Sequence, residues 1–142
     1  MITLREIKIE DYDGMIALWQ NTEGLGLSPA DSRESIQRYL EQNAGCSYIA
    51  IDTIRDVIAG TLLAGHDGRR GYLYHMAVDP DYRGQGIARQ LTERSMNALA
   101  ANGIDRAHLF VLNNNEHGQQ FWTASHWQKA DHFSVFSKDT HG

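Results

Sequence analysis

The segment YLYHMAVDPDYRGQGIARQL, residues 72–91, combines signals for a strand, a turn and the start of a helix. Its first seven residues form an apolar run that predicts a buried strand, and the Asp79-Pro80 dipeptide then predicts a turn. Gly84 and Gly86 follow, before apolar residues return at helical spacing. A surface turn needs at most one glycine, so a pair between a strand and a helix indicates main chain that another molecule approaches closely.

The start of the helix after these glycines offers the chemistry of an anion site. Main-chain N–H groups in a first helical turn have no partner within the helix, and the helix dipole places partial positive charge there. Together with Arg83, these groups predict a phosphate or pyrophosphate site. A glycine-rich turn with an exposed arginine explains the local pattern as well, so both interpretations stay open from these residues alone.

Two common phosphate motifs do not fit the segment. A P-loop needs Gly-Lys-Ser/Thr at the helix start, whereas Gly86 is followed by Ile87 and Ala88. A dinucleotide-binding fingerprint needs a glycine or an alanine three residues after its second glycine, and this chain has Arg89 there. A phosphate site at this turn therefore belongs to another class.

Composition and charge restrict the classes of function. The chain has 142 residues, 42% of them hydrophobic, and a net charge of −5, which favours a single globular domain over residues 1–142 and argues against nucleic-acid binding. We see neither a secretory leader nor a run of about 18 apolar residues, so we expect no membrane span and a cytoplasmic protein. The single cysteine, Cys46, excludes an internal disulfide and is expected on a buried strand.

Hydrophobic periodicity predicts the element order β-α-α-β-β-β-α-β-α-β. The first strand is expected over residues 2–9, and the last elements are a strand over 106–112, a short helix over 115–125 and one or two strands over 126–138. The caps and turns that delimit the other elements are, in chain order, Asp11, Asp31 or Ser32, Arg55-Asp56, Asp67-Gly68 and Gly103.

Two motifs resemble the GCN5-related N-acetyltransferase family. Arg83-Gly84-Gln85-Gly86-Ile87-Ala88 is similar to the family's acetyl-CoA signature, Arg/Gln-x-x-Gly-x-Gly/Ala. The segment NEHGQQFWTASHW, residues 115–127, is similar to its downstream Asn-x-x-Ala/Gly-x-x-Phe-Tyr-x-x-x-Gly-Phe. Because the predicted element order is also the family's, the resemblance covers nearly the whole chain. It implies an α/β (α+β) fold with a mixed, mostly antiparallel sheet, flanking helices and a splayed central strand pair.

The resemblance implies a site for acetyl-CoA, the acetyl donor. In such proteins pantetheine pairs with the main chain of the strand before the signature, which implies Met76 and Val78; their side chains can still pack as ordinary strand core. Asn115 would meet the pantetheine arm or serve only as a helix cap, and Phe121 would border the cofactor or only pack in the core. The implied residues around the pyrophosphate are Arg83, Gly84, Gln85, Gly86, Ile87, Ala88 and Arg89.

The chain departs from the family pattern at two positions. The tyrosine that often protonates the leaving thiolate aligns with Trp122, whose indole cannot serve as a general acid near neutral pH. The glycine of the closing Gly-Phe aligns with His126, a residue that tolerates a positive φ but rarely adopts one. These departures put the proton donor in doubt and leave the family resemblance intact.

Acetylation of an amine by a thioester needs a neutral amine, a stabilised oxyanion and a proton for the thiolate. The first candidate base is His75, just before the strand residues implied for pantetheine; a strand histidine bonded to main chain is the alternative. Glu23, in the loop after the first helix, is the second candidate, with a solvated loop charge as its alternative. An N–H near Met76 would meet the oxyanion. No histidine pair has zinc-ligand spacing, so we assign no metal.

Two classes of function follow from the resemblance. The first is an N-acetyltransferase that moves an acetyl group from acetyl-CoA to a primary amine of a small molecule or protein. The alternative is a non-catalytic acyl-CoA-binding module that senses cofactor level or supports an assembly. The implied partners are acetyl-CoA and an amine acceptor, without nucleic acid or membrane, and a homodimer stays open. The expected acceptor loops mix arginines with Glu23, Asp31 and Asp67, which would admit a cation, a zwitterion or a peptide. The acidic residues favour a cationic amine.

Overall fold

The computed structural model describes residues 1–141, which divide into two compact units. Unit 1 is Met1–Phe110, and unit 2 begins at Val111. The strands of unit 1, β1 to β5, are Ile2–Glu6, Tyr48–Asp52, Val57–His66, Gly71–Val78 and Ala107–Leu109. Its helices, α1 to α3, are Tyr12–Gln20, Arg33–Gln42 and Ile87–Ala101. Unit 2 contains α4, Glu116–Ala124.

The five strands form one sheet in the order β1-β2-β3-β4-β5. The first three pairings are antiparallel and the last, between β4 and β5, is parallel, which confirms the mixed, mostly antiparallel sheet. The β4–β5 pairing covers only Gly71–Leu73 and Ala107–Leu109. Residues 74–78 of β4 therefore have no strand partner on that edge in the described chain, as expected for a splayed pair.

A β-bulge interrupts β4 at His75. Tyr74 pairs with Leu63 and Ala77 pairs with Thr61. His75 and Met76 therefore both lie opposite one residue of β3, Leu62. The His75 backbone has φ +54°, in the left-handed region that histidine adopts more readily than most residues. An extra residue of this kind shifts the alternation of side chains along the strand.

Helices cover both faces of the sheet. Trp19 of α1 donates to Thr61 on one face, whereas the next residue towards the start of β3, Gly60, lies against Ile87 of α3 on the other. Glycine permits this close approach, because a Cβ at Gly60 would lie 3.0 Å from the Ala77 carbonyl oxygen and 3.1 Å from Ile87 Cγ2. The core on the α1 side is formed by Ile7, Met15, Trp19, Ile36, Ile49, Leu63 and Ala77.

Local signals in the sequence located most turns and caps. The Ser32 hydroxyl accepts from the Ser35 N–H at the start of α2, and Gly103, at φ +81°, ends α3. The hairpin turns contain Asp56 at φ +55° and Gly68 at φ +92°, as predicted. Asp11 precedes α1 without capping it, because its carboxylate binds Arg5 instead.

Several predicted boundaries were wrong. The first strand ends at Glu6 because residues 9–11 form a short 3-10 turn, and β5 contains three residues rather than seven. Cys46 is buried but lies before β2. The segment 126–138 contains no strand, although Phe133 and Val135 alternate with polar residues; both are exposed. Within residues 1–141, no helix combines the length and apolar character needed to cross a membrane.

Candidate active site

The turn before α3 contains two left-handed glycines, Gly84 at φ +80° and Gly86 at φ +77°. The backbone itself therefore favours glycine at both positions, whatever approaches it. A Cβ at Gly84 would meet nothing within 4 Å, and one at Gly86 would meet only Gln90 Nε2 at 3.8 Å. The space beside the turn is open, as an anion site requires.

The first residues of α3 offer free main-chain donors beside this space. The Gln90 N–H makes the first bond, to the Gly86 carbonyl, so Ile87, Ala88 and Arg89 have no acceptor within the helix. The Ile87 side chain is buried and can contribute only its N–H group to a ligand. Three polar side chains nearby are exposed: Arg83, Gln85 and Arg89. These donors and charges fit a pyrophosphate, and the assignment of residues 83–89 to acetyl-CoA stays a prediction.

The open edge of β4 carries the residues predicted to pair with pantetheine. Met76 and Val78 are half-buried and lie in the part of the strand that β5 does not reach. An unpaired strand edge presents N–H and C=O groups to a ligand. This geometry suits the predicted role, which the described chain does not test further.

His75 is held on three sides at the bulge. Its Nε2 lies 2.6 Å from Asp31 Oδ1, and its ring meets Trp19 edge-on with the ring centroids 4.7 Å apart. The His75 carbonyl accepts a hydrogen bond of 3.1 Å from Thr61 Oγ1, which in turn accepts from Trp19 Nε1 at 2.8 Å. The ring's partner is therefore a carboxylate, not the main-chain group considered from the sequence.

Asp31 was expected either as a helix cap, with Ser32 as the alternative, or as a charge of the acceptor loop, and Ser32 is the residue that caps α2. It ends a 3-10 turn, Pro29–Asp31, and its Oδ2 accepts the Ser28 N–H at 3.0 Å. The Tyr12 hydroxyl donates to the Asp31 carbonyl at 2.6 Å. Serine followed by proline and, three residues on, by an acid is a readable capping signal. The long-range contact with His75 has no such signal.

Glu23, the second candidate base, lies in the turn after α1. Its side chain is exposed and forms no hydrogen bond or ion pair with the described residues. The structure brings Asp31, not Glu23, to His75.

Unit 2 contains the residues of the downstream motif. Asn115 caps α4, with its Oδ1 accepting the Gly118 N–H at 3.0 Å. The half-buried rings of Phe121 and Trp122 meet edge-on at 4.9 Å. His126 has φ +71°, so it takes the backbone conformation of the glycine it replaces in the motif. The cap role of Asn115 is confirmed, and its contact with acetyl-CoA and that of Phe121 stay predictions.

A groove of about 840 Å³ opens elsewhere in unit 1. It lies between α1 and the ends of the first strands, where its polar lining includes Arg5, Asp11 and Asp79. None of the predicted site residues lines it, and Arg5 and Asp11 are paired with each other. No group of three metal-ligating side chains occurs in residues 1–141.

The β4–β5 pair opens next to the start of α3, and comparisons with known proteins identify the family that this arrangement belongs to. The model of the acetyltransferase (GNAT) family matches residues 12–126, and the chain belongs to this family. An acetyltransferase of Pectobacterium atrosepticum is 32% identical over 114 residues, covering 80% of this chain and 78% of that one. One of Yersinia pestis is 31% identical with the same coverage.

Solved structures share the fold at low sequence identity. AAC(6')-Iy, in complex with a bisubstrate analog, CoA-S-monomethyl-acetylneamine, has a TM-score of 0.76 and 18% identity, over 98% of this chain and 99% of that one. PaiA N-acetyltransferase of Thermoplasma acidophilum, in complex with coenzyme A, has a TM-score of 0.72 and 17% identity, over 88% of each chain. The family and its relatives make this chain an acyltransferase with acetyl-CoA as its cosubstrate.

Proposed function

We propose that this enzyme transfers the acetyl group to a primary amine of a small molecule or a protein, and that His75 accepts the proton of that amine. The observation that carries the proposal is the ring's hydrogen bond to Asp31. An ionised carboxylate only accepts, so Nε2 holds the hydrogen of this bond and Nδ1 keeps a lone pair. A histidine in this state, beside an open strand edge, suits a general base.

Acetyl-CoA supplies a thioester carbonyl, and the side chains and main chain divide the remaining work. The free N–H groups before and within α3 hold the pyrophosphate, assisted by Arg83 and Arg89. His75 takes one proton from the ammonium form of the acceptor, so that its nitrogen can attack the carbonyl carbon. A main-chain N–H near Met76 donates to the developing oxyanion. Trp122 supplies no proton, so the thiolate takes its proton from the attacking nitrogen or from water.

The acceptor is proposed only as a primary amine. Two acidic residues that favoured a cationic amine are engaged, Asp31 with His75 and Asp67 with the N–H groups of its own turn. The bisubstrate analog bound by AAC(6')-Iy joins CoA to an acetylneamine, which supports an amine acceptor on this fold. The proposal includes a single domain over both units and a cytoplasmic location, and a homodimer stays open.

The test is release of free thiol from acetyl-CoA with a panel of primary amines. The panel contains a polyamine, an aminoglycoside, an amino-acid ester and a peptide with a free N-terminus. His75→Gln should lower kcat by about 10²- to 10⁴-fold, the usual contribution of a general base, with the KM for acetyl-CoA nearly unchanged. His66→Gln, at another half-buried strand histidine, is the matched control and should keep its activity.

The pH dependence gives a second reading of the same variant. Wild type should lose activity on the acid side as the base becomes protonated, and His75→Gln should lack that limb. Equal activity of the two proteins between pH 6 and 9 would remove His75 as the base. No thiol release with any amine would refute the transfer itself.

A further inference from the structure

We infer that Asp31 is a positioning residue for His75. Its carboxylate fixes the hydrogen on Nε2, leaves Nδ1 as the accepting atom, and stabilises the ring when the ring becomes positively charged. The inference rests on the proposed function, because a positioning residue needs a base to position. Asp31 is thus a second residue that takes part in the reaction, and no sequence motif indicates this role.

The carboxylate of Asp31 is fixed before any substrate arrives. The Ser28 N–H binds Oδ2, and the Asp31 N–H donates back to the Ser28 carbonyl at 2.9 Å, which closes the 3-10 turn. The Tyr12 hydroxyl holds the carbonyl of Asp31. Oδ1 is the remaining oxygen, and it lies 2.6 Å from the His75 ring. A preorganised acceptor of this kind orients an imidazole without needing to move during the reaction.

The contact is also sheltered from water. The side chains of His75 and Asp31 are 16% and 10% exposed, so solvent screens their charges less than on an open surface. Trp19 covers the ring on one side and Thr61 fixes its main chain on another. Of the charged side chains in the described chain, only Asp31 makes a hydrogen bond or ion pair with this ring.

The proton balance follows from these positions. The ammonium form of the acceptor loses one proton to Nδ1, which gives a free amine and an imidazolium ring. Nε2 keeps its hydrogen, directed at Asp31, and the carboxylate stays ionised throughout. The imidazolium then returns its proton to water. Asp31 contacts no reacting atom, so it acts only through His75.

The unusual backbone at His75 supports a functional reason for this contact. A residue other than glycine in the left-handed region is strained, and such strain concentrates at functional sites. The rival explanation is that the Asp31–His75 bond only fastens the segment before α2 to the sheet. The two explanations differ in what happens once His75 is absent.

The first measurement is the protonation of the His75 ring in the unliganded enzyme by ¹⁵N NMR at pH 8.5. The inference expects the hydrogen on Nε2, and Asp11→Asn should leave the signals unchanged. Asp11 is the matched control because its side chain is 9% exposed and it too binds a basic partner, Arg5. A wild-type ring with its hydrogen on Nδ1 overturns the inference.

The second measurement is a double-mutant cycle on kcat. Asp31→Asn alone should lower kcat by about 10- to 100-fold, part of the 10²- to 10⁴-fold that the base contributes, with the KM for acetyl-CoA unchanged. In the His75→Gln background, Asp31→Asn should leave kcat unchanged, because the ring that Asp31 positions is gone. Asp11→Asn should keep the kcat of wild type.

The cycle distinguishes failure of the role proposed for Asp31 from failure of the role proposed for His75. If Asp31→Asn lowers kcat equally in both backgrounds, Asp31 acts structurally and the inference fails while His75 remains the base. If Asp31→Asn keeps the wild-type kcat while His75→Gln does not, the inference fails in the same way. If His75→Gln itself keeps full activity, the proposed function fails first. Circular dichroism and thermal unfolding show that each variant is folded.

Discussion

Thr61→Val tests whether one buried hydroxyl holds the bulge of β4. Thr61 is fully buried in β3, where its Oγ1 accepts from Trp19 Nε1 at 2.8 Å and donates to the His75 carbonyl at 3.1 Å. Valine has nearly the same shape and replaces the hydroxyl with a methyl group. The substitution therefore leaves little cavity and removes both hydrogen bonds at once.

The expected destabilisation follows from the two partners that lose their bond. A buried polar group left without a partner costs about 1–3 kcal/mol. Trp19 is fully buried and cannot turn its N–H to water, whereas the His75 carbonyl lies on a half-buried residue and can regain part of its hydration. We therefore expect the free energy of unfolding to fall by about 2–4 kcal/mol, and the Tm by about 10 °C.

Urea unfolding of the unliganded protein measures this loss. Thr92→Val is the matched control, because the Thr92 hydroxyl donates to the Ala88 carbonyl within α3. That carbonyl also accepts a main-chain hydrogen bond of the helix, so it keeps a partner when the hydroxyl is removed. It should change the free energy of unfolding by less than about 0.5 kcal/mol. A Thr61→Val protein as stable as this control would refute the idea that the hydroxyl holds the bulge. With Trp19→Phe already present, Thr61→Val should cost about 1 kcal/mol less than alone, since one of its two orphaned groups is gone.

Three further predictions concern the cofactor turn, the missing proton donor and acid stability. Arg89 is exposed at the third residue of α3. Arg89→Glu should weaken acetyl-CoA binding by about tenfold or more in calorimetry. Unliganded stability should hold or rise, because an anion suits a helix start, and unchanged affinity would exclude Arg89 from the site. Trp122→Tyr should keep or raise turnover; a hundredfold loss with acetyl-CoA still bound would show that the indole itself is needed. The Tyr82 hydroxyl donates to Asp52 Oδ2 and is the main cause that lowers the pKa of this carboxyl. The bond therefore stabilises the folded protein above about pH 4, and this stabilisation is lost on acidification. Tyr82→Phe should therefore show its largest loss of stability near neutral pH and a shrinking loss towards pH 2, whereas a loss independent of pH would contradict this linkage.

Local backbone requirements made the turns predictable. Gly68 and Gly103 adopt positive φ values, a conformation that few other residues tolerate, so the residue type indicates the turn. Gly84 and Gly86 follow the same rule, which means that the backbone alone explains two glycines there. The open space beside them is the added observation that favours a ligand. The prediction of an acetyl-CoA site at this turn therefore depends on the family resemblance and not on the number of glycines.

Pairing between distant strands made the rest unpredictable. The apolar run of β4 reads as a regular strand, because a bulge depends on the register against β3 and leaves no local signal. Asp31 and His75 lie 44 residues apart and meet only after the sheet and the 3-10 turn have formed. The segment 126–138 has an alternating pattern, yet a strand also needs a neighbouring strand to bond with, which a pattern does not supply.

The bulge gives β4 one residue more than its pairing with β3 requires. Ala77 lies opposite Thr61 although it follows Tyr74, the partner of Leu63, by three residues. Deleting His75 would leave Met76 alone opposite Leu62 and keep Ala77 opposite Thr61, so the residues on both sides of the bulge would keep their partners and their faces. The deletion would remove only the left-handed residue and the contact of its ring with Asp31. The sheet should therefore tolerate one residue fewer at this point, whereas the candidate site should not.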